Sequence, residues 1–448
     1  MIDETTALAR CQDLVDLARA LGADEADAVA RANSSESVGM RLGKLEDVDR
    51  SESEEIGLRV FVGKRSASIN TSEFAPEGLK ALAQRAVEMA RHAPEDRYAG
   101  LAPNDKLFDG AMPDLELHDD TAVEPATLRD MALAVEDAAR GVDGVTNSNG
   151  GGASASKSVA ALATSTGFAR SYAGSGFSLS ASVVAGEGAS MQTDHASRST
   201  RFFADLPPAE EVGRKAGDRA VARLDPGTMP SGPCPVVFDP RVGIGMVGHL
   251  LGAMSGPAIA RKASFLLGKE ETQLFDSAVQ IVEEPLRPRG QRSRPFDGEG
   301  VACRNRKLVE DGRMFGWMTN VSSADQLDLD LTGHASRGGG GSPGVSAGNV
   351  HIANGSVTPE ALMADIADGL YVTSLFGQGV NTVTGDYSRG ATGFRIRDGE
   401  LAGPVAEITI AGNLLDMFAA LTPANDLEFT RAINVPTLRV DGMTVAGS

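Results

Sequence analysis

His249 is the residue whose surroundings come nearest to a catalytic pattern. It lies in an apolar, glycine-rich stretch, Val242 to Met254. A zinc peptidase helix pairs a histidine with a following Glu as general base and a second His about a turn later. Here Leu250 follows His249, and Ala253 and Met254 occupy the later positions. No carboxylate lies within the stretch. The other histidines, His92, His118, His195, His334 and His351, form no ligand-spaced pair, and Cys11, Cys234 and Cys303 make no CxxC. No complete metal site is expected in this chain. A lone histidine on an apolar face is usually packed and hydrogen-bonded. Val247, Leu250 and Leu251 are expected to bury His249 and keep it neutral.

Two further letter patterns fail on their chemistry. Gly243, Gly245 and Gly248 match GxGxxG between a strand and a helix. Asp239-Pro240 lengthens the turn, and the next strand, with Glu283, comes too late for a ribose-binding acid. Close packing of a helix is the reading taken. Gly340 to Gly344 match GxSxG around Ser342, but Pro343 has no N–H to donate to an oxyanion. The run from Gly338 is read as a flexible loop. The segment Gly377–Gly393 concentrates Asp386, Tyr387, Ser388 and Arg389 among glycines. It is expected to contact a peptide or a partner, an extended peptide adding as a strand and Arg389 meeting a carboxylate. The alternative is a twisted strand pair in which Arg389 only pairs with Asp386.

The elements that would position these residues follow from periodicity. Residues 5–21 read as a helix, as do the stretches opened by Pro76 and Pro125 and residues 208–224. Val38, Met40 and Leu42 alternate, then Leu58, Val60 and Val62, with turns at Gly43-Lys44 and Gly63-Lys64. Phe177 to Val183 alternate in a small-residue sheet. Pro235 to Phe238 is a strand, and 242–255 a helix. Asp311-Gly312, Asp398-Gly399 and Asp441-Gly442 are each read as hairpin turns. Thr358 and Pro359 start a helix taken to end at Gly369. The fold class is α+β: an N-terminal α/β domain (1–102), a central small-residue sheet with helices (121–225), and a C-terminal, largely antiparallel β domain (228–448).

Composition sets outer bounds. The chain has 448 residues and 42% hydrophobic content, enough for a real core in two or three domains. A formal net charge of −19 opposes nucleic-acid binding. Arg287, Arg289, Arg292 and Arg294, the densest basic run, read as a solvated loop. The acidic N-terminus is unlike a signal peptide, and the longest apolar stretch is too short to span a bilayer. A cytoplasmic protein is expected.

These segments together resemble the TldD/PmbA family, described both as peptidases and as modulators of DNA gyrase. The stretches that carry the resemblance are GHLLGAMSG (248–256), RKASFLLG (261–268), PFDGEGV (295–301), TGHA (332–335), VTGDYSRGATGF (383–394) and PVAEITIAGNLLDM (404–417). One branch of that family carries His-Glu-x-x-x-His on the helix matching 243–256. The other, PmbA/TldE-like branch lacks it and pairs with the first. This chain is similar to the second: His249 stands at the first zinc position, Leu250 at the general base and Met254 at the second histidine. The resemblance implies a substrate-lining subunit without a catalytic residue or cofactor of its own. Its implied partner is a TldD-like subunit holding zinc, and its implied substrates are short or unfolded peptides. Two rivals remain: a self-sufficient metallopeptidase, and a binding protein that regulates a partner such as gyrase without proteolysis.

Overall fold

The computed structural model describes residues 1–377 and 379–447. The first half is built on one antiparallel sheet. Its elements are α1 (Glu4–Ala20), β1 (Glu25–Arg41), β2 (Lys44–Val62), β3 (Arg65–Thr71), α2 (Pro76–His92), α3 (Pro125–Arg140), β4 (Val145–Thr164), β5 (Ala169–Ala185), β6 (Gln192–Thr200) and α4 (Ala209–Val221). The strand order is β3-β2-β1-β4-β5-β6. The N-terminal and central stretches of the chain therefore share one sheet, joined where Asp27 faces Thr164 and Val38 faces Ala153.

Alternation along β1 assigns its two faces. Ala26, Ala28, Ala30 and Ala32 pack with α1 and α2 residues such as Leu14, Leu82 and Val87. Val38 and Met40, on the same face, pack with α3 and α4 through Leu128, Val135 and Val212. The alanines let the helices lie close to the sheet, which is why four helices cover this face with few aromatics. The other face carries Asp27, Val29 and Arg31, and meets the second half of the chain. Val29 packs there with Phe296.

The second half contains β7 (Gly232–Phe238) and α5 (Pro240–Ala253). β7 pairs in parallel with Asp368–Phe376 and antiparallel with Leu438–Ala446. Asp368–Phe376 continues to Asp386–Arg397 and then to Glu400–Asn413. Thr409, Ile410 and Ala411 pair back onto Ala446, Val445 and Thr444. This closes five strands into a ring. Beside it runs a smaller sheet through Arg306–Glu310, Ile281–Glu283 and Val350–Ile352. The largest apolar core fills this half. No helix among the described residues is long and apolar enough to cross a membrane.

Several local readings change. Asp311-Gly312 and Asp398-Gly399 are hairpin turns with positive φ at both residues. Asp441-Gly442 instead lies inside the strand Leu438–Ala446, where the register with β7 shifts, so it is a bulge. The helix begun at Thr358 ends at Met363, and Gly369 belongs to the next strand. The glycine run from Gly338 is not free: a Cβ built at Gly57 on β2 would overlap the Gly339 carbonyl, so two backbones touch there. The arginine run is solvated only in part: Arg289 and Arg292 are exposed, Arg287 and Arg294 half-buried. Arg289 bridges Glu116 and Asp205 at 2.6 and 3.0 Å, and Arg294 is half-buried, giving an N–H to the Ser346 carbonyl at 2.7 Å.

Candidate functional site

Asp239 follows β7 and caps α5, its carboxylate accepting from the Arg241 amide at 2.9 Å, with Pro240 in the first turn. Met246, Val247, Leu250, Leu251 and Ala253 turn into the core. Gly243 faces Val435 and Leu438 at near-contact distance, which is the close packing expected of it. Gly245, Gly248 and Gly252 form the outer face of the helix, and nothing lies within 4 Å of a Cβ built at any of them. His249 stands on this open side. It is half-buried rather than enclosed, a correction to the sequence reading. Only its inner neighbours at 247, 250 and 251 point to the core, and the glycines leave its other flank bare.

The ring of His249 meets the ring of Tyr387 edge-on, with centroids 5.9 Å apart and planes at 80°. Burial, and then the nearby charge of Arg389, hold the imidazole below its ordinary pKa, so it is neutral at pH 7. Tyr387 is buried at the head of the strand Asp386–Arg397, and burial pushes its hydroxyl up to about 12. Arg389 gives its Nε–H to the Phe376 carbonyl at 3.3 Å. It does not pair with Asp386. That carboxylate accepts from the Thr384 hydroxyl at 2.7 Å and the Asn413 amide at 3.3 Å, which together hold it below the usual carboxylate range. Ser388 is exposed.

The backbone around these residues is already paired on both sides. Asp386, Tyr387 and Ser388 face Asn413, Gly412 and Ala411. On the other side the Ser388 amide donates to the Gly379 carbonyl at 2.6 Å, and the Asn381 amide to the Asp386 carbonyl at 2.9 Å. An added strand has no free edge at 386–388, so any contact made there is through side chains. Gln378, in the same segment, lies outside the described residues. The structure thus brings Tyr387 and Arg389 near His249, while an open hollow beside Tyr387 is lined by Asp386, Ser388 and residues 379–382 rather than by His249 or Arg389.

These residues do not fit a zinc ion. Leu250 and Met254 are 0% exposed and belong to the apolar core, so neither position faces the open side with His249. Among the described residues no group of three or more His, Cys, Asp or Glu side chains converges as ligands would.

Family models match almost the whole chain: PmbA/TldA metallopeptidase domain 1 over 26–90, its central domain over 118–224 and its C-terminal domain over 231–447. Metalloprotease PmbA of Escherichia coli O157:H7 is 35% identical over 430 residues, which is 95% of this chain and 92% of that one. The chain belongs to the PmbA/TldD metallopeptidase family. A PmbA homolog of Haemophilus influenzae is 34% identical and covers 100% of this chain and 99% of its own length. Among solved structures, a candidate modulator of DNA gyrase from Bacteroides thetaiotaomicron superposes with a TM-score of 0.91 at 25% identity, each chain covered completely. TldE from Thermococcus kodakarensis shares the fold, with a TM-score of 0.86 at 20% identity over 98% of this chain and 100% of that one. The PmbA/TldD fold explains why the glycine-faced helix, the Tyr387 strand and the Gly377–Gly393 hairpin lie side by side.

Sequence reasoning missed the buried charges. Asp27 on β1 meets Arg59 on β2 at 2.6 Å and also contacts Arg337; Arg59 reaches Glu299 at 3.2 Å. All four lie in the seam between the sheet and the second half. Glu283 accepts from His334 Nε2–H at 2.8 Å, and His334 Nδ1 accepts from the Thr332 hydroxyl at 2.8 Å in the tautomer that satisfies both. Asp297 accepts three backbone N–H groups, and burial, then the Glu299 charge, push its carboxyl up to about 7. No local spacing announces the pairs of Asp27 with Arg59 and Arg337 or of Glu283 with His334, which come from distant parts of the chain.

Proposed function

We propose that this chain is a non-catalytic, substrate-lining subunit of a zinc metallopeptidase complex that processes short or unfolded peptides in the cytoplasm. A TldD-like subunit would supply the zinc and the general base. The observation that carries this reading is the state of α5. The positions where a zinc-bearing relative would place its base and second histidine hold Leu250 and Met254, and both are sealed in the core. His249 remains as a neutral side chain beside Tyr387, on a helix face stripped to glycine. Such a face lets an extended peptide or a partner's backbone approach closely.

Elemental analysis of the isolated chain tests this. Zinc well below one ion per chain is expected, with cleavage appearing only when a zinc-bearing subunit is added. His249→Leu is expected to leave that cleavage intact. One zinc per chain, removed by His249→Ala, would establish a self-sufficient metallopeptidase. Capture of gyrase without any peptidase partner would establish the regulatory alternative.

A further inference from the structure

A second cavity, of about 490 Å³, lies at the other end of α5. Its walls come from β6, α4, the start of α5 and the stretch 426–435. Arg198, Lys215, Arg219, Arg241 and Arg431 line it. Among the described residues only Arg241 of these five is in an ion pair, with Asp194 at 2.8 Å and Asp239 at 3.6 Å. Its Nε is buried with no hydrogen-bond acceptor. Arg219 donates to the His195 carbonyl at 3.2 Å. Burial, then the positive charge of Arg241, hold its pKa below the ordinary value, and Arg431 adds in the same direction. Asp194 and Asp239 hold Arg241, while Arg198, Lys215, Arg219 and Arg431 have no ion-pair partner among the described residues.

The carboxylates of the cavity are Glu211, Asp239, Asp426 and Glu428. Asp426 is occupied by the Thr437 amide and hydroxyl, both at 2.8 Å, and Asp239 by the Arg241 amide and the Tyr371 hydroxyl. With Asp194, the partner of Arg241, counted, five cations stand against five carboxylates, a local balance in a chain whose formal net charge is −19. The first amides of α5 add no free donors. Arg241 N bonds the Asp239 carboxylate, and Val242 N and Gly243 N bond the Asp239 carbonyl.

We infer that this cavity binds the C-terminal carboxylate of a peptide, with Arg219, Arg431 and Lys215 as the recognising groups. The unpaired cations suit a monoanion, whereas a polyphosphate would face Glu211 and Glu428. The planar guanidinium fork matches a carboxylate in two parallel hydrogen bonds. The volume is that of a small-ligand site, room for the last residues of a peptide. The inference rests on the peptide-handling reading above and adds which end of the peptide is held.

The test is fluorescence anisotropy with the full chain and one labelled hexapeptide, made as the free acid and as the C-terminal amide. The free acid is expected to bind about tenfold more tightly. Arg431→Ala, at an exposed side chain, and Lys215→Ala are expected to erase that difference without changing amide binding or the melting temperature. Equal binding of acid and amide, unmoved by either variant, overturns the carboxylate site while leaving the peptide-lining role standing. No binding of either peptide overturns both. Inorganic phosphate serves as competitor. Millimolar phosphate displacing the free acid only weakly is expected; strong binding of phosphate with no peptide preference assigns the cavity to a free oxyanion and overturns the inference.

Discussion

Asp27→Ala should be among the most damaging single substitutions in this protein. The Asp27 side chain is 1% exposed, Arg337 0% and Arg59 8%, and the carboxylate touches both guanidiniums. Removing it leaves two buried cations with only Glu299 between them, and Arg337 Nε and Nη2 already lack hydrogen-bond partners. At an effective dielectric constant of about 20, each contact contributes roughly 4 kcal/mol, and the desolvation of three ions takes much of that back. The loss expected on deleting one partner of such a buried cluster is about 3–5 kcal/mol, a large part of a typical folding free energy. Urea unfolding followed by circular dichroism measures it. The double variant Asp27→Leu with Arg337→Met removes both charges and should recover most of the loss, because well-packed apolar groups replace a buried pair at little cost. A loss below about 1 kcal/mol for Asp27→Ala, or a double variant as unstable as the single ones summed, would refute the reasoning.

Three further outcomes are expected. Gly57→Ala should destabilise by about 1–3 kcal/mol in the same assay, since its Cβ would overlap the Gly339 carbonyl; a neutral result would mean the glycine loop is not seated on β2. Arg389→Ala should weaken cleavage or assembly of a reconstituted complex and leave the melting temperature of the isolated chain unchanged; a lowered melting temperature with cleavage and assembly intact would make the segment scaffold. His334, held below its ordinary pKa first by burial, stays neutral in the fold while the unfolded chain takes up a proton near the ordinary histidine value of about 6.5. Its contribution is therefore present above that value and is lost as pH falls toward the folded pKa. The depressed Glu283 acts in the same direction at lower pH. Between pH 7.5 and 5.5 this loss is opposed by Asp297, whose raised carboxyl takes up a proton in the fold as pH falls through about 7. The melting temperature of His334→Gln should therefore change toward greater acid stability than that of the parent, and identical profiles in both would assign the acid sensitivity elsewhere.

Local signals carried much of the fold. The helices opened by Pro76 and Pro125 read directly from apolar spacing, and α5 appeared within two residues of its start and end. Two of the three Asp-Gly pairs are turns. The third misled because a bulge asks the same positive φ of glycine as a turn does. The length of β1 and β2 was obscured by polar runs: Lys44–Ser53 of β2 is exposed, and Ser34–Ser37 of β1 separates the alanines of one core from Val38 and Met40 in the other. At the site, the missing Glu and second His were visible beside His249, but its open flank was not. Exposure there depends on what strands far along the chain leave uncovered. The same holds for Asp27 with Arg337 and for the five cations around the second cavity, whose meeting is decided only by tertiary packing.

The pairing pattern also orders the events of folding. In the first sheet, β1 with β2, β2 with β3, β4 with β5, and β5 with β6 are all neighbours along the chain, and only β1 with β4 requires a distant meeting. In the second half, Val236 of β7 must find both Leu370 and Val440 before the ring can close. Loop-closure entropy delays such distant pairings, so refolding should proceed in two phases. An early intermediate would hold the helix-covered face of the first sheet while Asp27 and Arg59, on its other face, still stand in water. The slow phase would then be the docking that dehydrates them, and the ions that weld the finished seam would be the ones that retard its closing.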